Sequence, residues 1–160
     1  MSTVKVLFVC LGNICRSPLA EAIFNHKINE KGLEELVEAD SCGTASYHID
    51  QVPDSRTLAN AKKNGISIDH YGRPLRADDL EYFDFIFAMD TSNHANILRL
   101  KNASAYTNKI ALMRDFDPLD KGDVPDPYHG SEYHFQEVFD ILDRTLDKFI
   151  AHLEKTNLKA

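Results

Sequence analysis

Cysteine is scarce in this chain, with three in 160 residues and none after Cys42. So small and odd a number excludes a disulfide framework and fits a reducing compartment, where thiols are reactive rather than structural. Long apolar runs are missing too. None approaches the ~20 residues of a membrane-spanning helix, and the start Met1-Ser2-Thr3-Val4-Lys5 lacks a signal peptide's architecture. The expected location is the cytoplasm, with no membrane partner. Basic residues are in deficit, 18 Lys and Arg against 25 Asp and Glu, for a net charge of −7. That balance argues against a nucleic-acid surface, and any anionic substrate must be drawn by a local site. Cys10, Cys15 and the seven histidines show no recognised ligand spacing, so no metal and no other cofactor is expected. No Gly-Lys-Ser/Thr follows a glycine loop, and Gly12 alone is no dinucleotide fingerprint. Repeats, low-complexity segments and linkers are absent, so residues 1–160 read as one domain. No feature of the sequence selects an oligomeric state.

What is present is concentrated in Val6-Leu7-Phe8-Val9-Cys10-Leu11-Gly12-Asn13-Ile14-Cys15-Arg16-Ser17-Pro18. An apolar β-branched run ends at Cys10, and five residues separate that cysteine from Arg16. Ser17-Pro18 is a helix start signal, with Ser17 expected at the N-cap and Pro18 at the first helical position. Strand, tight loop and helix N-terminus in that order make an anion site, because a helix start offers unpaired N–H groups and a positive dipole end. Gly12 lets the loop curl so that successive amides point inward, and Asn13 tolerates left-handed backbone. Arg16 adds a planar fork of donors suited to phosphate or a similar oxyanion. An ordinary cysteine has a pKa of about 8.5, whereas thiols beside helix N-termini and arginines fall to roughly 3.5–7.5. A thiolate facing a bound phosphoryl group is a nucleophile. Ser17 has two readings, a helix cap or a donor to the thiolate.

The rest of the chain alternates in a βα rhythm. A strand is expected over Val4–Cys10, a helix from Pro18 to about Lys31 stopped by Gly32, and a strand over Leu36–Cys42. Asp54 to Asn64 reads as a helix closed by Gly65, with Asp54 its N-cap, and Ala77–Glu81 as a short helix. Phe83–Met89 is a strand, Thr91 to Leu100 a helix, and Lys109–Met113 a short fourth strand. Phe135, Val138, Phe139, Leu142, Leu146, Phe149, Ile150 and Leu153 fall at helical spacing, so the chain ends in a long amphipathic helix. The pattern predicts an α/β fold, a central four-stranded parallel sheet with helices on both faces. Such sheets bind ligands beyond their strands' carboxyl ends, where Cys10 lies.

A phosphocysteine route needs an acid for the leaving oxygen and then a base for water, and one carboxyl group can serve both. The candidates lie in the acidic, proline-stiffened run Asp115 to Gly130. Asp126 differs from its neighbours because Pro125 and Pro127 restrict the backbone on both sides.

These residues resemble the low-molecular-weight protein tyrosine phosphatases, in Cys10-Leu11-Gly12-Asn13-Ile14-Cys15-Arg16-Ser17-Pro18 and Asp126-Pro127-Tyr128. Ser41-Cys42-Gly43-Thr44, Pro53-Asp54-Ser55-Arg56 and Met89-Asp90-Thr91-Ser92-Asn93 are similar to family segments in the same order. The resemblance implies a phosphotyrosine phosphatase: Cys10 the nucleophile, Arg16 and the phosphate-loop (P-loop) amides of residues 11 to 17 the phosphate binders, Asp126 the general acid. It makes Tyr128 and Tyr47 aromatic walls of the cleft and sets His129 where relatives often carry a second aromatic. It also implies that His70 and Ser41 brace Asn13, the other reading being simple polar packing. Cys15 is either a small filler under the loop or the partner of Cys10 in a reversible disulfide, and the family implies the latter. The expected substrate is a phosphotyrosine-bearing protein or a small aryl phosphate. Two rivals are weighed. An arsenate reductase of similar fold needs a thiol pair around residues 80 to 95, where this chain has no cysteine. A non-catalytic phospho-ligand module needs neither a thiolate nor an acid.

Overall fold

The computed structural model describes residues 3–158. Four strands, β1 (Val4–Cys10), β2 (Val37–Gly43), β3 (Phe85–Ala88) and β4 (Ile110–Leu112), form one all-parallel sheet in the order β2-β1-β3-β4. The helices are α1 (Arg16–Glu30), α2 (Ser55–Lys63), α3 (Ala77–Tyr82), α4 (Thr91–Leu98) and α5 (Glu132–Thr156). The α/β class and the parallel sheet are those expected.

β1 lies inside the sheet with apolar side chains on both faces, as a strand covered on both sides must. Val4, Val6, Phe8 and Cys10 join one core with Leu19, Ile23, Phe24, Phe149 and Leu153 of α1 and α5. Leu7 and Val9 join the other core with Leu80, Phe83, Ile97 and Ile110. Alternate residues of β3 divide likewise, Phe87 to the first core, Ile86 and Ala88 to the second. The apolar stripe of α5 is buried over its whole length, and Phe149 packs its ring 4.7 Å from that of Phe87.

Differences from expectation gather at the element ends. α1 starts two residues early, with Cys15 at the N-cap and no side-chain cap, so Ser17 lies inside the first turn and does not cap it. Its hydroxyl is drawn to the sulfur of Cys10 instead. β3 is shorter than the apolar run predicts because α3 extends to Tyr82, and Phe83 packs into the second core as that helix ends. α4 stops at Leu98, and the 3-10 turns Ala103–Lys109 and Met113–Phe116, which no periodicity announced, flank β4. Asp54 does cap α2, accepting from the Arg56 N–H at 2.9 Å.

Candidate active site

The loop from Leu11 to Cys15 leaves the carboxyl end of β1 and enters α1. Its carbonyls are held from outside. The Cys10 and Leu11 oxygens accept from the Thr44 and Ala45 N–H groups at 2.9 Å each, Ile14 from Asp54 at 2.9 Å, and Cys15 from Leu19 at 3.3 Å. The N–H groups of residues 11 to 17, by contrast, find no acceptor among the described residues. Satisfied carbonyls around the outside and free donors in one short loop leave an electropositive cradle that an oxyanion would complete.

Asn13 makes the curl. Its φ is +58°, the left-handed region that asparagine tolerates, whereas Gly12 has no positive φ. Gly12 instead admits a neighbour, since a Cβ there would come within 3.1 Å of the His48 ring. Gly43 does the same for β2, where a Cβ would meet the Leu11 carbonyl oxygen at 2.7 Å.

Beneath the loop the Asn13 amide makes four bonds. Its Nδ2 donates to Ser17 Oγ at 2.8 Å and Ser41 Oγ at 3.1 Å; its Oδ1 accepts from His70 Nε2 at 2.7 Å and the Arg73 N–H at 3.1 Å. Ser17 Oγ thus accepts from Asn13, and its single hydrogen lies within reach of Cys10 Sγ at 2.9 Å or of the Cys42 carbonyl at 3.3 Å. An anionic sulfur is the stronger acceptor of the two. The side chains of Asn13 and Ser17 are therefore committed behind the loop, and only their backbone N–H groups remain for an anion. Ser41 Oγ in turn donates to Glu21 Oε1 at 2.7 Å, and His70 Nδ1 lies 3.2 Å from the same oxygen. Burial pushes the Glu21 carboxyl up to about 7 and the His70 imidazole below its ordinary value. Glu21, Asp40 and His70 bring ligand-type atoms within 4.8 Å of one another. Arg73 Nε, 2.8 Å from Asp40, already supplies the cation that such a group attracts.

Arg16 lies at the floor with its side chain 3% exposed. Its Nη1 donates to Asp90 Oδ2 at 2.7 Å and to the Val124 carbonyl at 2.9 Å, and its Nη2 is 3.8 Å from Asp126 Oδ2. Burial opposes the charge, but Cys10, Asp90 and Asp126 outweigh it and hold the guanidinium pKa above the ordinary value. Cys15 contrasts with this, because burial pushes its thiol up to about 12. Cys42, fully buried, is raised well above the ordinary value for the same reason.

A pocket of about 290 Å³ opens over the loop. Cys10, Leu11, Gly12, Ile14, Cys15 and Arg16 form its base; Tyr47, Asp126, Tyr128 and His129 stand around it. Asp126 is held half-exposed at the mouth, its Oδ1 accepting from the Tyr128 N–H at 3.1 Å. The Tyr128 ring packs beneath Arg56, 5.3 Å away.

Three contributors went unassigned in the sequence. His48 lines the pocket, pinned through Nδ1 to Gln51 Oε1 at 2.8 Å, and nothing in its local sequence marks it. Glu21 anchors Ser41 from within α1. Asp90 orients Arg16, and a signal for it existed: it follows the carboxyl end of β3 and caps α4, the same strand-to-helix position that Cys15 holds after β1.

Fold and loop together define a parallel α/β domain built to hold a tetrahedral oxyanion against a cysteine. A sequence model described as "Low molecular weight phosphotyrosine protein phosphatase" matches residues 5–159. A protein of that name from Schizosaccharomyces pombe is 45% identical over 138 residues, covering 85% of this chain and 88% of the relative. The solved structure of a protein tyrosine phosphatase from Entamoeba histolytica, with Hepes in its active site, is similar at a TM-score of 0.91 and 43% identity, covering 97% of this chain and 99% of that one. YfkJ from Bacillus subtilis matches with a TM-score of 0.91 and 38% identity, covering 97% of each chain. The chain belongs to the low molecular weight phosphotyrosine protein phosphatase family.

Proposed function

We propose that this protein hydrolyses phosphotyrosine, in proteins or as small aryl phosphates, through a phosphocysteine intermediate. The observation that carries the reading is the set of N–H groups from residues 11 to 17 that find no acceptor among the described residues, curled around Cys10 with Arg16 at the floor and Asp126 at the mouth. Those amides and the guanidinium hold the three equatorial phosphoryl oxygens. The Cys10 sulfur attacks phosphorus, and the bond to the phenolic oxygen breaks as Asp126 delivers its proton to that oxygen. Asp126, now a carboxylate, takes a proton from water as the water oxygen attacks phosphorus. The sulfur leaves with its electron pair, and inorganic phosphate departs. Donors already fixed in place supply the largest share of the rate, since they need no rearrangement as charge shifts to the equatorial oxygens.

Tyr47 and Tyr128 offer aromatic faces to the substrate ring, and His129 extends the wall beside Tyr128 with its ring 5.1 Å away. The enzyme works in the cytoplasm on this reading, where its three free thiols stay reduced. Kinetics on phenyl phosphate and on phosphotyrosine and phosphoserine peptides test it. Cys10→Ser abolishes turnover, and Asp126→Asn costs about 10²–10⁴-fold on phenyl phosphate, the range of a lost general acid. Turnover surviving in Cys10→Ser, or a preference for phosphoserine, overturns the proposal.

A further inference from the structure

A buried carboxylate stands outside the chemistry described above. Asp117 follows the second 3-10 turn, in the run that leads to Asp126, and its side chain is wholly removed from solvent. A carboxylate has about four acceptor positions, and here each meets a donor. Oδ1 accepts from the Leu119 N–H at 2.9 Å and Arg144 Nε at 2.9 Å; Oδ2 accepts from Arg114 Nε at 2.9 Å and Arg144 Nη2 at 3.1 Å. Burial alone would raise the carboxyl's pKa, but Arg144, the Leu119 N–H and Arg114 outweigh it and hold it at about 2. The group is therefore an anion at neutral pH between two guanidiniums, one from α5 and one from the turn after β4.

Arg114 also faces the other way. Its Nη1 donates at 2.9 Å to the carbonyl of Asp123, three residues before Asp126. Asp123 is fastened besides by its carboxylate, which accepts from the Thr91 N–H at 2.9 Å and Thr91 Oγ1 at 3.3 Å. At the next residue the Val124 N–H donates to the Met89 carbonyl at 2.8 Å, and its own carbonyl accepts from Arg16. Val124 is fully buried. Beyond it come only Pro125, whose ring fixes φ, and Asp126. The position of the acid thus depends on the ties at 123 and 124, of which Arg114 supplies one. Arg114 is in turn oriented by Asp117, and Asp117 by Arg144.

We infer that Arg114, Asp117 and Arg144 form a clamp that positions Asp126 for proton transfer. They are positioning residues and touch neither substrate nor phosphoryl group. They act through Asp126, so among the events that kcat/KM reports their effect falls on the step in which the leaving oxygen takes its proton. A misplacement of about 1 Å can cost ~10²-fold in such a step. An ester whose leaving group departs as a stable anion needs no proton and does not register the error.

The inference rests on Asp126 being the general acid, and the experiment separates the two. kcat/KM, which reports the events up to leaving-group expulsion, is measured for phenyl phosphate and 2,4-dinitrophenyl phosphate. The proteins are the wild type, Asp126→Asn, Arg114→Lys and Arg144→Lys. Each lysine variant keeps the charge but loses the fork that bonds two partners at once. Melting curves establish that each is folded under assay conditions. The ratio of phenyl to dinitrophenyl kcat/KM is expected to fall about tenfold or more in Arg114→Lys, less in Arg144→Lys, and furthest in Asp126→Asn, within the 10²–10⁴-fold range of acid catalysis. A residue that merely supports the fold lowers both substrates together and leaves the ratio unchanged. An altered ratio in Asp126→Asn with unaltered ratios in both lysine variants overturns the clamp and spares the acid. An unaltered ratio in Asp126→Asn overturns the acid assignment and the clamp with it.

Discussion

Asp90 ties Arg16, the arginine proposed to hold phosphate, to the helix after β3, and its replacement gives a quantitative test of how the site is held. Its Oδ2 accepts from Arg16 Nη1 at 2.7 Å and its Oδ1 from the Asn93 N–H at 2.7 Å, so one carboxylate orients the guanidinium and caps α4. A hydrogen bond between charged groups contributes about 1.5–3 kcal/mol, and an N-cap about 1 kcal/mol. Asp90→Ala loses both and should cost about 3 kcal/mol. Asp90→Asn keeps the cap, because asparagine caps as well as aspartate, and should cost about 2 kcal/mol. In a domain of this size each kcal/mol moves Tm by roughly 2–4 °C. Scanning calorimetry should place the alanine variant about 6–12 °C below wild type and the asparagine variant about 4–8 °C below it. kcat/KM should fall at least tenfold in both, since Arg16 then lacks its strongest orienting contact. Both variants melting with the wild type would show that Arg16 does not depend on Asp90. Equal losses in the two would show that the cap contributes nothing.

Two further outcomes follow from the charge states. Brief iodoacetamide treatment of the folded protein at neutral pH should label Cys10 and spare Cys15 and Cys42, whose buried thiols stay protonated; inorganic phosphate should slow the labelling. Peptide mapping that finds Cys15 labelled as fast as Cys10 contradicts this. Asp117, held at about 2 against an ordinary 3.8, stabilises the fold fully above the ordinary value, and that contribution is lost as pH falls through the lower one. The loss amounts to about 2 kcal/mol. Urea denaturation should show Asp117→Asn less stable than wild type at pH 7, with the difference closing between pH 3.8 and 2. A gap that persists unchanged at the acid end refutes the linkage.

Much of the fold and site was legible because it depends on local rules. Apolar residues on both faces of Val4–Cys10 require a strand buried on both sides, which in turn requires helices above and below. The jump from that strand through Gly12 and Asn13 to a helix start makes a candidate anion site from backbone geometry alone. Pro125 and Pro127 marked Asp126, and the family's motif made the choice among the acidic residues of that run. Helix and strand ends were less legible. Ser17 had two readings, a helix cap or a donor to the thiolate, and only the helix start at Cys15 and the 2.9 Å approach of its hydroxyl to Cys10 Sγ decided between them.

The chain's local chemistry determined that a cysteine, an arginine and a ring of N–H donors would meet at one strand-to-helix turn, because those residues are consecutive and bonded to one another. Only the tertiary structure decided what holds that turn open. Asp90, His70, Ser41, Arg73 and Val124 come from four other segments, and their bonds to Arg16 and Asn13 exist only once the parallel crossovers have brought those segments to the carboxyl edge of the sheet. The same holds for Asp117 and Arg144, 27 residues apart and in contact at 2.9 Å. Buried polar groups must find partners, and which partner each one finds is settled by the packing of whole elements.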